Sequence, residues 1–403
     1  AYLCPMSQCA KNMRNGPCGG GHEGLCEARD KECIWARAYE RLKHYGEEQD
    51  LLKHTPVFAD HSLLETSSWA NTFLGRDHYR YGAKPEAAAA SATSSKPAAE
   101  PKQAAPAKRG GKTMAIPGLT IIAEAINDSV PSTAKLYNLN DIEGIKALAR
   151  KQAEGNCGYI DVNVGPRGPE LLARVVREVQ SVTDKPLSID TPDPKLAAAG
   201  LEAYDLDRAQ GRKPILNSLS MLRMHMLELY KIKPFRPILL ATEGVDANGV
   251  SSPCRNVDDV HRAAQAMLKI VRESGLGIPN EDLIVDPGIA PIGADMEGIT
   301  RRVLESIARL KADPEFAGCH FSVGLSNFTV MLPSKRANGK AVKTPLQNAF
   351  LTKAMPLGLD MIIGAADREY RLLKPGDDAL VCLEEFLQLD DVEATLRVKE
   401  FYA

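Results

Sequence analysis

From Leu119 to Ile363 the sequence alternates short apolar runs with helix-like stretches, and this alternation constrains the fold more than any other feature. Candidate strands fall at Leu119–Ala123, Gly158–Val162, Pro186–Ile189, Pro214–Leu216, Pro237–Ala241, Asp282–Val285, His320–Val323 and Leu359–Ile363. Helical patterns lie between them, for example Asp141–Glu154, Pro169–Val182, Val257–Glu273, Glu297–Lys311 and Thr344–Met355, and Asp377–Leu389 follows the last strand. A brief apolar run bounded by turn formers reads as a strand buried on both faces, the situation of a parallel sheet covered by helices. Eight such units in about 280 residues predict an α/β fold, a (β/α)8 TIM barrel. The competing open, doubly wound sheet wants a Gly-rich phosphate turn after its first strand. Here that turn is Glu124-Ala125-Ile126-Asn127-Asp128, without glycine.

Chemistry in a barrel belongs to the C-terminal rim of the strands. Polar residues recur there: Asn127 after the first strand, Asp161 and Asn163 in the second, Asp190 after the third, Asn217 after the fourth, Asp286 and Asn327 after the sixth and seventh. Each alone reads equally well as a helix cap or a turn former. Together on one rim they predict a site. A phosphate site would want Gly-rich loops with Lys or Arg, and a catalytic zinc would want His or Cys. Carboxylates beside carboxamides instead suit a flat heterocycle with adjacent N–H donors, such as the edge of a pterin. A Mg²⁺ site built from Asp161, Asp190 and Asp286 is the other use of the same carboxylates.

The segments Asp161-Val162-Asn163-Val164-Gly165-Pro166, Ile189-Asp190-Thr191, Leu216-Asn217-Ser218 and Val285-Asp286-Pro287 resemble those of pterin-binding barrels. With Gly324-Leu325-Ser326-Asn327 and Asn348-Ala349-Phe350-Leu351…Gly358-Leu359-Asp360, the chain from Leu119 to Ala403 most closely resembles methyltetrahydrofolate:corrinoid protein methyltransferases. That resemblance implies transfer of the N5-methyl group between methyltetrahydrofolate and the cobalt of a corrinoid protein. It implies that Asn127, Asp161, Asn163, Asp190, Asn217 and Asp286 line the pterin pocket and that Asn327 contacts N5 as the catalytic residue. An asparagine donates no proton at neutral pH, so Asn327 would act by electrostatic stabilisation, with the proton coming through water or a carboxylate network. No Asp-x-His-x-x-Gly motif of the kind that holds a cobalamin is present, since His78 follows Asp77 directly. The corrinoid is therefore expected on a partner protein. Relatives of the barrel are commonly dimers, which implies a homodimer.

Dihydropteroate synthase is the sibling to separate from this reading. Its second-strand signature runs into a Gly-Gly-Glu-Ser-Thr-Arg type loop, whereas this chain has Asn163-Val164-Gly165-Pro166; Ser334-Lys335-Arg336 does resemble that enzyme's basic motif. The first-strand loop lacks the arginine that simpler relatives place before the asparagine, and a basic stretch, Lys335-Arg336-Ala337-Asn338-Gly339-Lys340, follows Asn327. Such a stretch suits the glutamate tail of folate or an acidic partner, or is a solvated loop.

Ahead of the barrel the composition changes. Five of the nine cysteines, Cys4, Cys9, Cys18, Cys26 and Cys33, lie in the first 33 residues among glycines. Thiolates between Gly-rich turns suit zinc or an iron–sulfur cluster, and an odd count in a chain without a secretory pattern disfavours disulfides. The runs Asn15-Gly16-Pro17-Cys18-Gly19-Gly20, Gly24-Leu25-Cys26-Glu27, Cys33-Ile34-Trp35 and Ser67-Ser68-Trp69-Ala70-Asn71 resemble the C-terminal accessory domain of methylenetetrahydrofolate reductase. That resemblance favours iron–sulfur, implies further ligands ahead of Ala1, and makes a methylenetetrahydrofolate reductase a candidate partner. A non-catalytic folate-binding or scaffolding subunit of such a reductase complex is the alternative function from a different class.

Between Lys84 and Thr113 the chain turns to Ala, Pro, Ser and Lys, too poor in large apolar residues to offset its ordering entropy. The expected organisation is a Cys-rich domain at 1–82, a linker at 83–117 and a pterin-binding barrel at 118–403. With 50 basic and 52 acidic residues the formal charge is -2, unlike that of a nucleic-acid binder, and no run is long and apolar enough to span a membrane. A cytoplasmic protein is expected.

Overall fold

The computed structural model describes Cys9, Cys18, residues 21–22, 24–26, 31–46, 116–246 and 249–403. Cys4, the Ser67–Asn71 run and the expected linker from Lys84 to Thr113 lie outside the described residues. Two units are distinguished, residues 1–107 and 108–403. In the first, Gly21–His22 pairs antiparallel with Leu25–Cys26. Cys33 then precedes the helix Ile34–Tyr45, which Gly46 ends in the left-handed conformation that glycine adopts without a steric cost.

The second unit is a closed eight-stranded parallel barrel. Its strands are β1 (Thr120–Asn127), β2 (Tyr159–Asn163), β3 (Leu187–Asp190), β4 (Ile215–Leu219), β5 (Arg236–Leu240), β6 (Ile284–Asp286), β7 (His320–Gly324) and β8 (Met361–Gly364). They pair in chain order, and β8 closes on β1 through Met361↔Thr120 to Gly364↔Ala123. Each strand falls on an apolar run expected from the sequence.

Side-chain alternation divides the strands into two faces. Outward residues such as Ile121, Ile160, Ile189, Leu216, Leu239, Val285, Phe321 and Ile362 pack into the core shared with the helices. Inward residues Ile122, Tyr159, Ile215, Ile238, Ile284 and Met361 form a separate apolar cluster that fills the barrel floor. Two positions further along several strands the inward residues become polar: Glu124, Asp161, Asn217 and Asp286. The barrel is thus a plugged cup, apolar below and polar above.

The helices Ile142–Glu154, Pro169–Gln180, Val257–Glu273, Ile299–Ala312, Lys343–Ala354 and Asp378–Phe386 match the expected patterns within a few residues. Pro131–Asn138, Pro194–Ala203 and Asp391–Tyr402 add to them. The crossover after β4 differs from a plain βα unit, being a 3-10 run, Met221–Lys231, kinked at Arg223. A short hairpin, Glu243–Val245 with Ser251–Pro253, follows β5. Among the described residues no helix is long and apolar enough to cross a membrane.

Two strands depart from regular register where it matters. The β1–β2 ladder shifts between Ala123 and Ile126. The freed main chain of Ala125 is taken up, its N–H donating to Gln152 Oε1 at 2.8 Å and its carbonyl accepting from Thr133 Oγ1 at 2.7 Å. The β4–β5 ladder shifts between Leu216 and Leu219, around Asn217. Bulges of this kind re-aim side chains and are held by compensating bonds.

Candidate active site

Asn127, Asn163, Asp190 and Asp286 end their strands, Asp161 and Asn217 lie within theirs, and Asn327 sits in the helical turn Leu325–Phe328 that follows β7. None of the seven caps a helix; Asp141, Asp193, Asn256 and Asp377 do that with their side chains. The turn-forming reading is partly right, and informative. Asn127 Oδ1 accepts from Ser129 N at 2.9 Å, Asn163 Oδ1 from Gly165 N at 2.7 Å and Asp286 Oδ1 from Gly288 N at 2.8 Å. One atom of each side chain therefore shapes its own loop. The other atom is thereby aimed elsewhere.

For the two asparagines that other atom is an amide nitrogen, and both point at one carboxylate. Asn163 Nδ2 and Asn127 Nδ2 donate to Asp190 Oδ2 at 2.9 and 3.3 Å. Asp190 pairs in register with Asn217, and Asp161 with Ser188. Five of the expected residues, from β1 to β4, thus form one cluster around Asp190.

Asp161 is its deepest member, 1% exposed, and neither carboxylate oxygen reaches a hydrogen-bonding partner. Burial raises its pKa well above the usual carboxylate range, and the neighbouring Asp190 raises it further; Ser188 and Asn217 face it and pull the other way. Asp190 is raised as well, chiefly by burial, while the hydrogen bonds from Asn163 and Asn127 and the nearby Asp161 pull the other way. Two carboxyls this close in a desolvated cup cannot both ionise easily. Of the two, Asp161 is the one that burial and its neighbour bias more strongly towards the protonated form.

Asp286 stands across the cup on β6. Ser322 Oγ of β7 donates to its Oδ2 at 3.0 Å, and the carboxyl is only 4% exposed. Burial pushes its pKa up to about 6, against the hydrogen bonds from Gly288 and Ser322. Folding therefore favours the protonated form. The stabilisation is complete below its ordinary value of 3.8 and is lost as pH rises through about 6. That difference amounts to about 3 kcal/mol. Asp286→Asn, neutral throughout, is expected to gain about 3 kcal/mol of unfolding free energy relative to the parent protein between pH ~3.5 and pH ~8. Denaturant titrations at the two pH values measure this, and a constant gap would contradict it.

Asn327 is exposed, and its Nδ2 lies 2.8 Å from where a Cβ on Gly324 would stand, so a side chain at 324 would displace that amide. Its turn is anchored from beneath. Buried Gln347 donates to Leu325 O at 3.2 Å and Thr329 Oγ1 at 2.9 Å, while Arg368 Nη1 donates to Gln347 Oε1 at 2.6 Å. The neighbouring Asn348 Oδ1 accepts from Arg371 N at 3.2 Å. The Asn348-Ala349-Phe350-Leu351 segment therefore belongs to a helix that fixes the loops after β7 and β8.

Sequence reasoning missed Glu124, Ser188, Ser322 and Ser326. Glu124 points into the cup from the β1 bulge and accepts a hydrogen bond from Ser326 Oγ, beside Asn327. Its signal was there, two residues beyond inward-facing Ile122, but the bulge hides the alternation.

The basic stretch after Asn327 is partly structural. Arg336 pairs with Asp378 at 2.6 Å, stacks 3.6 Å over the Phe401 ring, and its guanidinium is therefore not directed at a substrate. The Ser334-Lys335-Arg336 likeness to a catalytic basic motif does not extend to its arginine. The Mg²⁺ site is a second correction: among the described residues no three His, Cys, Asp or Glu groups are arranged to hold a metal. Asp190 Oδ2 and both oxygens of Asp286 already accept from amide and hydroxyl donors, and burial favours protons on these carboxyls. The expected metal cluster of the front unit is likewise not gathered among the described residues. Cys9, Cys26 and Cys33 are half-buried, Cys18 is exposed, and all four are free thiols without a common centre.

The plugged parallel barrel carries its carboxyls and carboxamides at the C-terminal mouth, where barrel enzymes place their sites. Residues 134–364 match the pterin binding enzyme family, and the chain belongs to that family. Residues 1–61 match the methylene-tetrahydrofolate reductase C-terminal family. The chain thus joins the two families its motifs resemble. A methylcorrinoid:tetrahydrofolate methyltransferase of Eubacterium limosum is 24% identical over 251 residues, covering 61% of this chain and 84% of that one. Solved structures similar to it include dihydropteroate synthase of Xanthomonas albilineans with 4-aminobenzoic acid (17% identity, 67% of this chain, 91% of that one, TM-score 0.42). Another is the 7,8-dihydropteroate synthase of Vibrio fischeri (15%, 70%, 92%, TM-score 0.42).

Proposed function

We propose that the protein transfers a methyl group between the N5 of tetrahydrofolate and the cobalt of a corrinoid carried by a partner protein. The observation that carries the reading is the cup itself: Asp190 held by two carboxamides, with a partnerless Asp161 beside it and the Asn327 turn on the opposite side. A pterin edge offers the N–H donors and carbonyl acceptor that this set lacks. Desolvated, prearranged groups discriminate strongly against ligands that leave them unpaired. The similarity to the Eubacterium limosum methyltransferase supports methyl transfer over other pterin chemistry.

In this reading Asp161, Asp190, Asn217 and Asp286 bind the ring, and Asn127 and Asn163 hold Asp190 in place. Asn327 donates its amide N–H to N5, a contact that strengthens as charge changes there. The open rim admits the corrinoid in line with the methyl carbon. The front unit, related to a reductase domain, would be held near the barrel by a linker of about 30 residues, raising the effective concentration of whatever it docks.

Incubation with methyltetrahydrofolate and cobalt(I) cobalamin is expected to yield methylcobalamin, read by its absorption spectrum. Tight folate binding without transfer would favour the scaffolding alternative and overturn this reading. Formation of dihydropteroate from 4-aminobenzoate and a pterin pyrophosphate would overturn it in favour of the synthase.

A further inference from the structure

We infer that Glu124, acting through the hydroxyl of Ser326, stores the proton exchanged at folate N5 during methyl transfer. The inference rests on the function proposed above and adds a positioning residue to it.

The strand is built to place this carboxyl. The β1 register slips by the residues Glu124 and Ala125, and both main-chain groups of Ala125 are bound by Gln152 and Thr133, so the distortion is held rather than loose. Within the slip Glu124 accepts from Ser326 Oγ, across a sequence separation of 202 residues. Ser326 and Asn327 are consecutive in one short turn, and Gln347 and Arg368 hold that turn in place. If Asn327 reaches N5, Ser326 lies next to it.

The charged and titratable surroundings suit proton exchange. Burial raises the Glu124 pKa, while the Ser326 hydrogen bond and Arg368 lower it in part. Asp161 faces it from β2, and Tyr370 from the segment after β8. Lys343, whose own pKa is lowered by burial and by Arg368, completes the set around Arg368. A carboxyl moved towards neutrality is what a group trading protons at physiological pH requires.

The step balances in both directions. Towards methylfolate, the N5 lone pair attacks the methyl carbon, the cobalt–carbon bond breaks, and both its electrons stay on cobalt, reducing Co(III) to Co(I). N5 then gives its proton to Ser326 Oγ as the Ser326 proton passes to the Glu124 carboxylate. Towards methylcobalamin the protons run back to N5, cobalt(I) attacks the methyl carbon, and the N5–carbon electrons remain on nitrogen.

Steady-state transfer from methyltetrahydrofolate to cobalt(I) cobalamin by the full chain, across pH, tests this. The parent protein's rate is expected to fall as pH rises through the Glu124 ionisation. In Glu124→Gln, kcat should drop about 100-fold, with KM for folate within about 2-fold and that ionisation gone from the profile. Glu124→Asp should restore part of the rate and the ionisation. Ser326→Ala, conservative enough to fold if Glu124→Gln does not, should show a similar loss, and the double variant should be no slower than either single one. An unchanged pH profile in Glu124→Gln, multiplying losses in the double variant, or a change confined to KM would each overturn the inference. Absence of transfer by the parent protein would instead refute the proposed function itself.

Discussion

Asn327→Ala is expected to slow methyl transfer by roughly 10²–10³-fold while leaving folate binding within about tenfold of the parent value. The side chain occupies a place prepared for it by a glycine at 324 and by the Gln347 anchor beneath its turn. Its amide makes no side-chain hydrogen bond among the described residues, so removing it leaves no buried partner stranded. The loss should therefore appear in the chemical step rather than in stability. Single-turnover kinetics with saturating folate separates the two, and an unchanged rate constant would remove Asn327 from the site.

The second large effect is expected on binding. Asp190→Ala removes the acceptor shared by Asn127 and Asn163 and leaves two amide donors unpaired in a desolvated cup. Truncating one side of such an arrangement costs about 2–5 kcal/mol, or roughly 30-fold to several-thousand-fold in affinity for methyltetrahydrofolate. Titration calorimetry measures this directly. A carboxyl at 190 that served only to shape the loop would leave affinity within about tenfold, because Asn163 would still form its own turn with Gly165.

Much of this site was legible in the residues. Polar side chains at the ends of Val162-Asn163, Ile189-Asp190 and Val285-Asp286 announce themselves because apolar strand runs stop there. Which of them meet was not legible. Asp190 is a hub because β1, β2 and β3 are neighbours in a closed sheet and their last residues face the same way. Glu124 was hidden because its orientation depends on a bulge stabilised by Gln152 and Thr133, residues of two different helices. Arg336 misled for the converse reason, since its partners Asp378 and Phe401 come from the end of the chain.

The sequence by itself determined the barrel, its eight strands and the carboxylate–carboxamide character of its mouth, because these follow from local periodicity and from where apolar runs end. Tertiary structure alone decided in which direction each carboxyl's pKa moves and which side chains meet. A carboxyl's proton depends on how far burial removes water and on which charges lie across the cup, and those distances exist only once the sheet has closed. Asp161 without a partner, Asp286 pushed up to about 6 and Glu124 coupled to Ser326 are consequences of that closure.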